Sequence, residues 1–495
     1  MPAATVATTA SVSPYVQLQS PVYVHAQRSD SLAVSRVALP GLASMLSTMF
    51  VPQAWFFSTL LDFPTLAAAL ARVLEKYPVY AGRVVDVSPP RGTVSVETNN
   101  KGIPLHAGSA NLGLKDLLPD FAPGDVLAQH PSLGELLPVP TAATPEDLRN
   151  QCTPLIVASL ISLSDNACAL SVRFWHGLFD QQSIGQFMQD WAQAYNGALS
   201  FDDVEAIAKQ TSRVESAVSV PVDEESTVDM SQLKNPMAGP VFFPDTDTIN
   251  ALTARMIEEL VNPRTVYRTA FLPQVAISQL VAVIRKIDPR VSQHDCVGAW
   301  LWKTLASARS RGPTRFCYPI DARWRLGGAP LARGCLLIAG VTAPAEAATT
   351  SLSALAGYIR DSVTDPSAFA KCVARYSAGQ GPVMSSANVL GEGPGSAQDL
   401  CVMQWTRFAN CDDFRFGAAG AASAPVAFVP LGGPIEPRMP NLAAVWRAAR
   451  PPSVSNAAAS SAASGLVIGI TLYECEVPAF ASAVRGFADG KFDLR

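Results

Sequence analysis

Between Ala167 and Trp175, apolar Leu170, Val172 and Phe174 alternate with Ser171 and Arg173, a period of two that predicts a strand. A short break follows. Ile184, Phe187, Met188, Trp191 and Tyr195 then recur at helical spacing, which predicts an amphipathic helix packed on that strand. Upstream, Tyr15–Leu18, Ala54–Leu60 and Gly92–Glu97 read as strands. Pro64 opens a helix whose apolar face carries Leu66, Leu70, Val73 and Leu74, and Lys76 and Pro78 end it.

The pattern weakens after Gly197, and Ser216–Asp247 mixes Ser, Pro, Asp and Glu with few regular apolar repeats, as in a crossover between domains. Strand signals return at Val266–Leu272 and a helix at Val275–Ile287, closed by Lys286 and Pro289. This repeats the strand, helix, Lys, Pro order of the first half. Ser292 with Asp295 three residues on resembles a capping box opening a further helix to about Arg309. Arg315–Arg325, Gly334–Val341, Leu400–Phe408, Val426–Val429 and Gly465–Tyr473 read as strands, Gly379–Gln398 and Ala457–Ser464 as loops, and Val477–Gly486 as a closing helix. The fold class expected is α/β (α+β), with residues 1–200 and 265–495 as two domains and 201–264 as the linker between them.

Composition narrows the function classes. Apolar residues make up 48% of the 495 and charged residues 16%, enough for large cores, so global disorder is excluded. Lys and Arg number 37 against 41 Asp and Glu, and the net charge of −4 gives no reason to expect nucleic-acid binding. The nine cysteines are an odd count, widely spaced and without a CxxC, which fits a reducing compartment and argues against a disulfide framework or thiolate zinc site. No Lys or Arg precedes Arg28, so the start lacks the charged region of a secretory signal, and a cytoplasmic location is expected. Val37–Leu61 carries no charge and is long enough to span a bilayer. Pro40 and Pro52 break it and Ser44, Ser47, Thr48 and Gln53 make it semi-polar, so it is read as buried strands with no membrane span.

Three segments stand out for chemistry. His176, one of five histidines, lies where the Ala167–Trp175 strand ends, in Phe174-Trp175-His176-Gly177-Leu178-Phe179-Asp180. A neutral imidazole there suits a general base near neutral pH. His176 and Asp180 alone do not complete a ligand set, so no metal site is expected. The second segment is Gln404-Trp405-Thr406-Arg407-Phe408, running on to Asp413-Phe414-Arg415-Phe416-Gly417. The third is Tyr318-Pro319-Ile320-Asp321-Ala322-Arg323-Trp324-Arg325, where Arg323 and Arg325 share one strand face. GxSxG, P-loop and strand-linked GxGxxG motifs are absent, which disfavours hydrolase-elbow and nucleotide chemistry.

Taken together and in order, these segments resemble the BAHD acyltransferase family, especially its fungal branch similar to trichothecene 3-O-acetyltransferases. His176–Asp180 matches the HxxxD motif, and Asp413–Gly417 resembles DFGWG with Arg415 and Phe416 in place of glycine and tryptophan. Ile320–Leu326 resembles the arginine strand, Asp295–Lys303 the helix carrying Ala299 and Trp300, and Tyr77-Pro78-Val79-Tyr80-Ala81-Gly82-Arg83 the early Tyr-Pro segment. Arg333-Gly334-Cys335 stands where the family has an aromatic-Gly-Asn run. Trp175 stands where the related condensation domains carry a second histidine.

The resemblance implies two chloramphenicol-acetyltransferase-like domains, each a mixed sheet with flanking helices, and a channel between them. It implies transfer of an acyl group from acyl-CoA, as co-substrate, to the hydroxyl or amine of a small, secondary-metabolite acceptor. No permanent cofactor and no covalent acyl-enzyme are implied, and a monomer is expected. His176 would be the general base and Trp405 an oxyanion donor. Asp180, paired with Arg323, would support the site structurally, as would Asp413 and Gly417. Arg285, Lys286, Arg290 and the Ser292 helix start are the cation cluster expected to hold the CoA phosphates, with Arg415 a further cation for them. Two other readings stay open: a non-catalytic member acting as a binding or regulatory protein, and a condensation-type enzyme using carrier-bound acyl groups.

Overall fold

A computed structural model describes residues 15–27, 34–39, 47, 49–87, 94–118, 120, 122–137, 145–205, 239–241, 264–309, 312–321, 323, 337–342, 345–362, 398–407, 414–417, 424–430, 441–448 and 464–495. Nearly all of the expected crossover, most of the 379–398 and 457–464 loops, Trp324, Arg325, the Arg333–Cys335 run and Asp413 lie outside these residues.

The elements that place the site are, in chain order, β1 (Phe50–Phe57), α1 (Phe63–Lys76), β2 (Cys168–Trp175), α2 (Gln181–Tyr195), β3 (Thr265–Pro273), α3 (Gln274–Arg285), α4 (Gln293–Ser307), β4 (Phe316–Asp321), α5 (Leu352–Asp361), β5 (Leu400–Gln404), β6 (Ala427–Pro430), β7 (Leu442–Arg447), β8 (Gly465–Tyr473) and α6 (Val477–Ala488). Periodicity placed most of these. It missed α5, β7 and the strands Ile103–Ala110 and Ile156–Ser162. The strand expected over 315–325 stops at Asp321, so Arg323 stands just past its end and not on a strand face.

The fold is mixed α/β with two large sheets. The first runs Val16–Leu18, Ile103–Ala110, Ile156–Ser162, β2, β1, β6, with Val22–Val24 beside Ile103–Ala110. The second runs Gly239–Val241, Leu337–Val341, β4, β5, β7, β8, β3, Val126–Leu127. β4, β5 and β7 pair in parallel and the flanking strands antiparallel. The halves exchange strands: β6, late in the chain, completes the first sheet on β1, and Val126–Leu127 pairs with β3 in the second. Backbone hydrogen bonds thus tie the two layers together at both edges.

The repeat legible in the sequence is structural. In each half a strand leads into a helix (β1 to α1, β3 to α3), and an antiparallel neighbour leads into a second helix (β2 to α2, β8 to α6). Only one of the two equivalent strand ends carries a histidine: β2 runs into His176, whereas β8 runs into Glu474.

β2 is central and every residue in it is buried. The polar members of its alternation, Ser171 and Arg173, are therefore inside too. Arg173 sits over the Phe50 ring at 3.9 Å and donates to the Pro154 carbonyl at 3.4 Å. α2 buries Ile184, Phe187, Met188 and Trp191 against the sheet and α1, each contributing roughly 1.5–3 kcal/mol. Polar contacts fix its rotation: the Trp191 indole donates to the Leu66 carbonyl at 3.0 Å, and Asp190 accepts from the Tyr77 hydroxyl at 2.6 Å and from Lys76 at 3.4 Å. The helix that follows the His176 turn is thus held along its length. Among the described residues no helix is long and apolar enough to cross a membrane, and within the charge-free run at 37–61 the stretches 37–39 and 50–57 are strands.

Candidate active site

The β2–α2 turn presents His176 half-buried, between Trp175 and a stack of aromatic rings. Trp175 anchors it: the indole donates to the Ser47 carbonyl at 2.5 Å and the backbone N–H to the Leu155 carbonyl at 2.7 Å. His176 N–H donates to the Met49 carbonyl at 2.9 Å. Gly177 is required here, because a Cβ at that position would lie 2.4 Å from Cζ2 of Trp175. Phe179 N–H returns to the Trp175 carbonyl at 3.0 Å, and its ring packs on Phe174 and Tyr80.

This turn selects the imidazole tautomer. His176 Nδ1 lies 2.9 Å from the Phe179 carbonyl oxygen. A carbonyl can only accept, so Nδ1 carries the hydrogen and the lone pair is on Nε2. Burial pushes the imidazole pKa below its usual value, against the opposing pull of the Asp180 carboxylate and the two backbone bonds. A neutral ring with a fixed basic nitrogen is the result.

Asp180 does not point its charge at solvent. It is the N-cap of α2, accepting from Ser183 N–H at 3.1 Å through Oδ1, while Ser183 Oγ accepts from the Asp180 N–H at 2.9 Å. Its other oxygen, Oδ2, accepts from Arg323 Nη2 at 2.7 Å. Both side chains are essentially inaccessible, at 1% and 0% exposure. The pairing expected between these two residues is therefore present, and it joins the first half of the chain to the second. Arg323 is itself held by Asp321, whose Oδ1 accepts from Arg323 N–H and Nη1, both at 3.0 Å. Next to Asp180, the amides of Gln181 and Gln53 meet at 2.5 Å, tying the first turn of α2 to β1.

Trp405 immediately follows β5. It is buried, its backbone N–H donates to the Val445 carbonyl, and its ring meets Phe428 of β6 edge-on at 6.1 Å. The tryptophan therefore comes from the second sheet and packs against a strand of the first. The late motif crosses in the same direction. Phe416 is buried among Phe57, Trp191, Tyr195 and Phe414, so an aromatic ring fills the core where the resembling motif has tryptophan. Asn196, the C-cap of α2, grips the turn by donating to the Arg415 carbonyl and accepting from Gly417 N–H, each at 2.7 Å. Gly417 has φ +125°, a region that a side chain rarely adopts. The Arg415 side chain is exposed.

The cation cluster lies on the α3–α4 turn. Ser292 caps α4 in a reciprocal box with Asp295, to which Arg360 also donates. Lys286 is exposed, Arg285 Nε donates to the Val291 carbonyl at 2.9 Å, and Arg290 is paired with Asp288 and Asp361 at 2.7 and 2.8 Å. Arg290 thus already faces two carboxylates. Among the described residues no group of three or more His, Cys, Asp or Glu could hold a metal ion.

Sequence reasoning gave no role to Asp321, Gln53 or Asn196. Asp321 stood in view, two residues before Arg323. Gln53 and Asn196 had no local signal, because their partners lie 128 and 219 residues away.

Residues 27–336 match the model of a family described as the Transferase family. No curated protein matches the sequence at a significant level. Among solved structures, vinorine synthase is 16% identical with a TM-score of 0.61, over 94% of this chain and 96% of that one. TRI101 of F. sporotrichioides, solved with coenzyme A and T-2, is 17% identical with a TM-score of 0.64, over 90% and 96%. The first condensation domain of the CDA synthetase is 11% identical with a TM-score of 0.51, over 93% and 97%.

Proposed function

The chain belongs to the BAHD-type Transferase family, and from that membership we propose that it moves an acyl group from acyl-CoA to the hydroxyl or amine of a small acceptor. The observation that carries this reading is the His176 Nδ1–H bond to the Phe179 carbonyl, which leaves Nε2 as the basic nitrogen.

The reaction is a direct displacement. Nε2 of His176 removes the acceptor proton as the acceptor oxygen or nitrogen attacks the thioester carbonyl carbon. The tetrahedral oxyanion is stabilised by a fixed donor, assigned to the Trp405 indole. It collapses, the C–S bond breaks, and the proton on His176 passes to the departing CoA thiolate. Proton transfer by a placed base contributes ~10²–10⁴-fold, with approximation of the two substrates adding to it. Asp180 and Arg323 hold the turn in place, and Gly417 shapes the neighbouring wall. Ser292, Arg285, Lys286 and Arg415 are assigned to the CoA phosphates; Arg290, engaged with Asp288 and Asp361, contributes less. The match of TRI101, whose structure holds coenzyme A, supports the choice of donor.

The test is thiol release from a panel of acyl-CoAs with mixed small alcohols and amines, with products identified by mass spectrometry and His176→Ala as control. CoA release and acylated product that both depend on His176 are expected. Absence of any product across the panel, or turnover retained in His176→Ala, would overturn the reading. Acylation only from a pantetheinyl carrier protein would favour the condensation-type alternative.

A further inference from the structure

Asp321 forms the far end of a buried relay. Its Oδ1 receives both the backbone N–H and Nη1 of Arg323, so the residue is held at its backbone and at one nitrogen of its guanidinium. Nη2 is thereby turned onto Asp180 Oδ2, and Asp180 in turn caps the helix that starts at the His176 turn. The Asp321 side chain is only 8% exposed, and its second oxygen, Oδ2, is buried without a hydrogen-bond partner. A carboxylate oxygen left bare in the interior is costly. Arg323 lies two residues past the end of β4.

We propose that Asp321 is a positioning residue for the reaction, acting through Arg323 and Asp180 on the His176 turn. The proposal rests on the functional reading above only for its kinetic consequence; its structural consequence stands without it. Two acidic side chains share one guanidinium in a desolvated space, so the fully ionised trio carries an excess negative charge. Burial first, and the Asp180 charge beside it, raise the Asp321 pKa, while Arg323 lowers it. A proton on the Asp321 carboxyl relieves the excess charge. Among the described residues, the charged groups facing Asp321 are Arg323 and Asp180, with His176 reached through the turn.

The relay assigns different fates to two substitutions. Asp321→Asn keeps an oxygen for both Arg323 bonds and removes the second charge. Asp321→Ala removes the acceptor of the Arg323 N–H and Nη1 and loosens the guanidinium on that side. The full chain is labelled with ¹⁵N-histidine, which gives five ring systems, and His176 is assigned by its loss in His176→Ala. The expected result is a wild-type Nδ1–H tautomer in Asp321→Asn and a broadened or tautomer-mixed ring in Asp321→Ala. Turnover, where an acyl-CoA and acceptor are found, should fall by about 10-fold or more in kcat for Asp321→Ala, with KM for both substrates within about twofold. Asp321→Asn should restore it.

An unchanged His176 ring in Asp321→Ala would overturn the proposal. If the alanine variant does not fold, the asparagine variant decides. A shifted His176 ring there overturns it, while a wild-type ring together with weaker loss of thermal stability on raising pH supports it. Failure of the wild type to acylate anything sinks the functional reading and leaves the ring measurement to judge the relay.

Discussion

Arg323 and Asp180 meet at 2.7 Å across 143 residues of sequence, and neither side chain has contact with solvent to speak of. This is the point where the second half of the chain fixes the turn that carries His176. Asp180→Ala removes the α2 cap and one of the two carboxylates that Arg323 engages, and should cost roughly 3–5 kcal/mol. The loss in the double variant with Arg323→Met should be smaller than the sum of the two single losses, because both single variants break the same Asp180–Arg323 contact. Urea denaturation of the two single variants and the double variant measures this; simple additivity would contradict the pairing.

His176→Ala should leave the fold intact and lower kcat by about 10²-fold or more, since a general base acts in the transition state. Circular dichroism and steady-state CoA release together check both halves of the statement.

The pH dependence follows from the direction of the His176 shift. The native ring holds its proton less tightly than a free imidazole, so kcat/KM should rise with pH through a midpoint below about 6.5. Stability carries the same sign. Below the unfolded value, the unfolded chain binds a proton at this position that the native site refuses, so stability attributable to His176 is present above that pH and falls as pH drops toward the native value. Asp180→Asn removes the charge that supports protonation and should move the kinetic midpoint further down.

Gly177→Ala places a methyl group against the Trp175 ring. The turn would have to shift, at a cost of about 1–3 kcal/mol. Activity should fall more than stability alone explains, because the same shift lengthens the Nδ1 bond to the Phe179 carbonyl. Thermal unfolding and kcat measured on one preparation separate the two effects.

Arg415 tests the CoA side. Its backbone is clamped by Asn196 while its side chain is exposed. Arg415→Gly should raise KM for acyl-CoA at low salt and have a smaller effect at high salt, where screening has already weakened a phosphate contact. An unchanged KM at low salt would leave Arg415 with no part in donor binding.

Strand and helix periods, which are local properties, were enough to find β2, α2 and the repeated strand–helix order, because burial of one face imposes them on neighbouring residues. His176, Gly177 and Asp180 were legible for the same reason: they lie within five positions at a strand end. Ile103–Ala110, Ile156–Ser162 and β7 escaped because their buried runs show no clean alternation, whereas α5, with Leu352, Leu355, Ala356 and Ile359 at helical spacing, was legible in the sequence. The pairing of Asp180 with Arg323 was expected from family resemblance and not from spacing. The clamp of Asp321, the grip of Asn196 on the 415–417 turn, the crossing of β6 into the first sheet and the choice of tautomer at His176 had no such signal. The grip of Asn196 and the crossing of β6 depend on where a distant backbone comes to lie, whereas the Asp321 clamp and the His176 tautomer are bonds across two and three residues whose geometry the folded turns set. A hydrogen bond of 2.7–3.0 Å is decided by the packing of whole sheets, and only the folded chain supplies that.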